Sequence, residues 1–299
     1  MRLRPGPADV LLLVTVVLWS FNYPVVKYAV SNGFAPLVYA TFRFGVGSLI
    51  FAGVTTVREG GLRVRGRDLW ILAGAVGAAV YVNQMSFVSA VNLASASTVA
   101  LVFGTLPVFV TFLGWLLGVE QPTARHLLAV VVSFGGVALV AADAEGGLSG
   151  DLGGILLVLL AALTWSFYSV VAGPMMQRLS PYRISAVVGL AAIGPLAATA
   201  TPQLADTDWS AVGGIAWGAL LYSTIAAFVI SNVTWFTAIK RAGANRAALY
   251  GNLQPFLGAV FSVLVLSESL SALQVAGGVV IAAGIVLARS RRPPVEVVD

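Results

Sequence analysis

Two tryptophans have the least ordinary placement in this sequence. Trp19 lies about ten residues into one apolar run and Trp165 about thirteen into another. At ~1.5 Å per residue, helices over these runs would carry both indoles to mid-bilayer. Tryptophan ordinarily prefers the membrane–water boundary, so a mid-depth pair calls for an explanation. Helical phase gathers polar partners around each: Thr15, Trp19 and Asn22 share a face, with Tyr23 beside them, as do Trp165, Tyr168 and Ser169. Tyr81 and Gln84 form a similar stripe, and so do Asn232 and Trp235. Phe103 and Gly104 precede Pro107, and Tyr250, Gly251 and Asn252 precede Pro255. The chemistry on offer is recognition rather than reaction. Aromatic faces would hold an apolar side chain, and amides would orient an ammonium or carboxylate. An unpaired amide in hydrocarbon costs several kcal/mol, which favours a polar cavity. Helix packing for the tryptophans and simple kinks at the prolines remain alternatives, with Gly104, Pro107, Gly251 and Pro255 as the expected hinges.

Two cations fall inside apolar runs, Lys27 and Arg43. Lys27 is near enough to a run's end to reach the surface by snorkelling. Arg43 lies too deep for that and should be paired or face a cavity. It could bind a substrate carboxylate or brace helices through backbone carbonyls, the second being favoured. Acids are missing at mid-depth, since Asp9, Glu120, Asp151 and Glu268 all fall at run ends, as does the single histidine, His126. A proton-coupled carrier usually keeps a titratable group in its path, so facilitated diffusion or exchange is the simpler mechanism. No catalytic residues are expected. There is no cysteine, no Cys/His metal cluster, no phosphate-binding loop and no triad, and no cofactor or metal is implied.

The elements that must position these residues follow from composition. Of 299 residues, 59% are hydrophobic and only 10% charged, and mean hydropathy is +0.93. That excludes a disordered chain or a disulfide scaffold and describes an integral membrane protein. Ten spans are expected near 9–30, 36–57, 69–89, 94–117, 124–142, 152–176, 182–200, 212–238, 244–266 and 272–288. The runs are apolar throughout rather than alternating, so the fold is all-α and not a barrel. All 17 basic residues except Lys27 and Arg43 fall on alternate connections, from Arg2 and Arg4 to Arg291 and Arg292, while Asp143, Glu145, Asp206 and Asp208 lie opposite. Both termini are therefore expected in the cytoplasm. The charges are topology signals without interleaved aromatics, so nucleic acid is not an expected partner.

An internal repeat organises the spans. A shift of 148 residues superposes Ala100-Leu101 on Ala248-Leu249, Pro107 on Pro255, Glu120 on Glu268 and Gly136 on Gly284, and a shift of 146 superposes Trp19-Ser20-Phe21 on Trp165-Ser166-Phe167. Five spans per half is an odd number, so the second copy enters from the opposite face. Inverted repeats of this kind belong to secondary transporters, with substrate held near the midplane. The boundaries expected are 1–143, 144–290 and a cytoplasmic tail at 291–299.

With Trp19-Ser20-x-Asn22-Tyr23-Pro24, Arg43-Phe44, and the small-residue stretches leading to Pro107/Glu120 and Pro255/Glu268, the chain resembles the drug/metabolite transporter superfamily. More narrowly it is similar to ten-helix EamA-type metabolite exporters, among them YddG-type exporters of amino acids. The resemblance implies ten helices around a central cavity, in a bacterial inner membrane. It also implies alternating-access export of small metabolites, aromatic or neutral amino acids foremost. The expected partners are a small-molecule substrate and the lipid bilayer, and a monomer is expected. Import of a sugar, a lipid flippase or membrane enzyme, and a non-transporting sensor are the competing readings. Gly114-x-x-x-Gly118 and Gly214-x-x-x-Gly218 are expected to pack within the chain.

Overall fold

A computed structural model describes residues 6–118, 124–142, 151–242, 247 and 250–288, and the regular structure among them is helical. In chain order the helices are α1 (Pro7–Ser31), α2 (Pro36–Glu59), α3 (Arg67–Leu93), α4 (Ala96–Leu116), α5 (Ala124–Ala141), α6 (Asp151–Met175), α7 (Pro181–Asp206), α8 (Gly214–Arg241), α9 (Gln254–Leu266) and α10 (Ala272–Ala288). Seven have the length and apolarity to cross a membrane, and α5, α9 and α10 are shorter apolar helices. Starts follow local chemistry. Proline occupies the first position of α1, α2 and α7, where its missing N–H would be unpaired anyway. The Ser180 hydroxyl accepts from the Arg183 amide to cap α7, and Gly60 ends α2 in the left-handed region at φ 73°.

Two departures from the expected spans stand out. Helix α7 continues past residue 200 to Asp206, straight through Pro202. The expected span at 244–266 has its first residues mostly outside the described set, and its regular helix begins at Gln254. Helices α3 and α8 each contain a wider π-type segment, Trp70–Val76 and Ile225–Ile230.

The principal packing pairs are α5 with α10, α2 with α7, α3 with α6, α1 with α8, α1 with α9, α4 with α6 and α4 with α9. Lipid tails are as apolar as the side chains, so such contacts depend on close backbone approach. In the α5–α10 seam a Cβ at Gly136 would lie 2.7 Å from the Gly277 carbonyl oxygen, and Gly284 is pressed on Ser133 and the Ala129 carbonyl. Gly214 and Gly218 face open space, contrary to the expected intrachain packing, on a helix whose other side is buried at Ala216 and Ala219.

Bulky apolar side chains such as Leu49, Val57, Val131 and Leu264 are exposed, as a lipid-facing surface requires. Aromatic rings gather around the α1–α2 and α7–α8 connections, where Phe34 packs on Trp217, Trp217 on Trp209 and Trp209 on Phe42. At the other end of the helices Arg178 pairs with Asp68 at 2.8 Å and Arg183 with Glu59 at 3.0 Å. These pairs put the α2–α3 and α6–α7 connections on one face, as the charge sorting required.

Candidate functional site

Helix α4 is broken at Gly104–Thr105, and a turn at Asn252–Leu253 precedes α9. The two breaks are 148 residues apart, the repeat interval. Pro107 and Pro255 therefore stand in the first turn of new helices rather than inside kinked ones, and their missing N–H groups cost nothing there. The breaks touch: a Cβ on Gly104 would lie 3.1 Å from Pro255 Cγ. Each restarted helix is held from the other half of the sequence. Ser20 of α1 donates to the Gln254 carbonyl and Ser166 of α6 to the Leu106 carbonyl, both at 3.1 Å, the Ser166 proton being shared with the Ala162 carbonyl one turn back in α6 at 2.7 Å. Both serines are fully buried and each directly follows a tryptophan of the repeated Trp-Ser-Phe motif. They were not expected as functional residues, although the duplicated motif contained them.

Around the breaks the expected residues fall into four groups. Trp19 and Trp235 lie with ring centroids 5.0 Å apart, joining α1 to α8, and Gly251 approaches Trp235. Tyr250 donates to the buried Asp9 carboxylate at 3.0 Å and so ties the residues before α9 to the start of α1. In the second group Tyr23, Phe87 and Phe103 form an aromatic triangle of α1, α3 and α4, and Gln254 Nε2 donates to the Tyr23 hydroxyl at 3.2 Å.

The third group is on α3 and α6. Trp165 and Tyr168 are 5.2 Å apart, and Tyr81 and Tyr168 join one apolar cluster. Gln84 is buried and donates to Asn83 Oδ1, and Asn83 in turn donates to the Ala161 carbonyl of α6 at 2.7 Å. Asn83 is thus a strut between helices, while Gln84 Oε1 is buried with no partner among the described residues. Ser169 and Asn232 spend donors on carbonyls one turn back in their own helices, Trp165 and Phe228. Asn252 is half-buried in the turn before α9.

The fourth group joins α1, α2 and α8. Ser223 donates to Asn22 Oδ1 at 2.6 Å, and the Tyr39 hydroxyl donates to the Ala219 carbonyl at 3.4 Å. Arg43 lies between Tyr39 and Gly47 on the stripe of α2 that meets α8. It is 9% exposed, its Nε has no partner, and among the described residues it makes no hydrogen bond or ion pair. Lys27 behaves in the opposite way. Its Nζ donates to the carbonyls of Val91, Asn92 and Ala94 at 2.9–3.3 Å, so it reaches the partly exposed turn at the end of the bundle and there caps the C-terminus of α3. Glu268 completes that turn by accepting from the Ala96 and Ser97 amides at the N-terminus of α4. Two clefts lie at the ends of the bundle: one of about 160 Å³ beside Tyr182, Phe236 and Lys240, and one of about 410 Å³ beside Phe34, Gln203 and Asp208. Neither is lined by the expected site residues. In the second, the Ser210 hydroxyl and amide hold the Asp208 carboxyl below its usual range.

A multi-pass bundle with helices broken at its centre and polar side chains inside it is the architecture of a membrane transporter. The chain belongs to the EamA-like transporter family, whose model matches residues 6–142 and again 152–290. It is a transporter rather than an enzyme. A probable amino-acid metabolite efflux pump of Escherichia coli is 25% identical, the alignment covering 92% of each chain. A probable terminal-alkyne amino-acid exporter of Streptantibioticus cattleyicolor is 26% identical over 94% of this chain and 92% of its own. An uncharacterized transporter of Clostridium kluyveri is 27% identical over 93% and 91%. One solved crystal structure superposes with a TM-score of 0.65 at 20% identity, covering 97% of this chain and 100% of that one, a likeness of fold.

Proposed function

We propose that this protein is a bacterial inner-membrane exporter of small metabolites, amino acids foremost, with ten spans in two inverted halves (1–143 and 144–290) and both termini in the cytoplasm. The observation that carries the reading is the crossed pair of serine hydrogen bonds. Ser20 to Gln254 and Ser166 to Leu106 interchange under the repeat shifts of 146 and 148 residues. The helix pairings support it in the same way: adding five to each helix number turns α3–α6 into α1–α8, and α1–α9 into α4–α6. The names of the Escherichia coli and Streptantibioticus relatives support amino acids as cargo.

On this reading the halves rock about the two helix breaks, with Gly104, Pro107, Gly251 and Pro255 as hinges. The aromatic wall is Trp19, Tyr23, Tyr81, Phe103, Trp165, Tyr168, Trp235 and Tyr250. Asn22, Gln84, Ser169, Asn232 and Asn252 orient the polar groups, the unpartnered Gln84 Oε1 suiting an ammonium. Transport is facilitative or by exchange, the chain acting as a monomer. The test is transport by Trp165→Ala and Gln84→Ala. Each is expected to lower the specificity for substrate by about tenfold, the worth of one buried polar or aromatic contact of ~1.4 kcal/mol. Wild-type rates in both would place the site elsewhere.

A further inference from the structure

We infer that Arg43 is the anion-binding end of the substrate site, holding the α-carboxylate of a zwitterionic substrate; this rests on the amino-acid reading above. The argument begins with what the two intramembrane cations touch. Lys27 has three carbonyl acceptors within 3.3 Å and is used up as a helix cap. Arg43 was expected to brace helices in the same manner, yet among the described residues no carbonyl or carboxylate receives its donors. The Nε–H is buried without an acceptor among the described residues, and none of them receives the terminal donors either; a planar, bidentate anion would satisfy both edges of the guanidinium.

Its position says what kind of anion. On α2, Tyr39 reaches Ala219 of α8, and one turn beyond Arg43 the Phe228 ring of α8 occupies the space a side chain on Gly47 would need. Arg43 therefore lies opposite Ser223, midway between those contacts, and Ser223 is bonded to Asn22 of α1. Counting ~1.5 Å per residue, Arg43 is about 10 Å and Ser223 about 14 Å from the starts of their helices, well inside a core ~30 Å thick. Asn22 is one turn from Trp19, whose ring meets Trp235. The cation on α2 and, along α1 and α8, the Asn22–Ser223 pair and the two indoles thus follow one another, matching a carboxylate, an α-carbon with its ammonium, and an apolar side chain. The repeat shift of 146 residues places Gly189 at the position equivalent to Arg43, so the second half supplies no matching charge and the substrate lies in one orientation.

The experiment compares acids with their amides. In proteoliposomes containing the full chain, uptake of radiolabelled leucine and phenylalanine is competed by the unlabelled amino acids and by leucinamide and phenylalaninamide. The wild type should prefer the acid by tenfold or more, the size of one charge-assisted hydrogen bond. Arg43→Gln should bring the ratio close to one, with Arg43→Lys between. Equal competition by amide in the wild type, or an undiminished ratio in Arg43→Gln, overturns the assignment. If neither amino acid is taken up, the amino-acid reading fails, and Arg43 is judged separately on purified protein in chloride-free gluconate. There propionate, and not propionamide, should raise the wild-type unfolding temperature and leave that of Arg43→Lys much less changed. No propionate effect on the wild type overturns it. That titration also decides the matter if Arg43→Gln does not fold, since the wild type alone must separate propionate from propionamide.

Discussion

Glu268 and Lys27 hold opposite sides of one turn, and removing either gives a sharp test of how this bundle is braced. The Glu268 carboxylate accepts from the Ala96 and Ser97 amides at 2.8 and 2.9 Å, two donors at the N-terminus of α4 that no backbone carbonyl satisfies. A hydrogen bond to a charged group is worth about 1.5–3 kcal/mol, and here the lower end applies because the turn is partly exposed and water can replace the lost acceptor. Glu268→Ala should therefore cost about 2–3 kcal/mol. Glu268→Gln, which keeps one acceptor and loses the charge at a helix N-terminus, should cost about half as much. Lys27→Met removes the Nζ cap from the Val91, Asn92 and Ala94 carbonyls for a further ~1–2 kcal/mol. Because both side chains fix the same turn, the double variant should lose less than the sum, by about 0.5–1 kcal/mol. Unfolding in mixed micelles with rising SDS, followed by intrinsic tryptophan fluorescence, measures all four proteins. A Glu268→Ala variant within ~0.3 kcal/mol of wild type, or a Gln variant as damaged as Ala, would refute the capping argument.

Two further outcomes follow from the packing. Gly136→Ala forces a Cβ to 2.7 Å from a backbone oxygen of α10, and should cost about 1–3 kcal/mol; Gly53→Ala, with open space around it, should be neutral or slightly stabilising in the same SDS titration. Ser20→Ala and Ser166→Ala each delete a buried tether to a restarted helix, the Ser166 tether sharing its proton with the Ala162 carbonyl, and should each cost about 1 kcal/mol. The two serine variants should also slow transport to a similar degree, whereas a large difference between them would argue against equivalent halves.

Much of the fold was legible because hydrocarbon imposes few options: apolar runs of the right length, bounded by charge, had to become helices. The run ends agree with the structure within a few residues at α2, α5 and α10. Where the reading fell short, the cause was tertiary. The seventh span was expected to end at residue 200, yet α7 continues through Pro202 to Asp206. Lys27 reaches the end of the bundle as its position suggested, but no sequence pattern says that the carbonyls of α3 end beside it and take its donors. Periodicity could place Asn22 and Trp19 on one face, and it could not reveal that Ser223 and Trp235 of α8 would be their partners 201 and 216 residues away. Gln84 was the amide singled out on α3, and only packing showed that its neighbour Asn83 is a strut to Ala161 while Gln84 Oε1 has no partner among the described residues.

The central claim is that this transporter moves amino acids without a proton. Uptake of a radiolabelled amino-acid panel into proteoliposomes, with and without an imposed pH gradient, tests it directly. Saturable uptake that ignores the gradient is the predicted result. Uptake that requires the gradient would contradict facilitative transport and implicate an edge carboxylate such as Asp9, and no uptake of any amino acid would remove that substrate class.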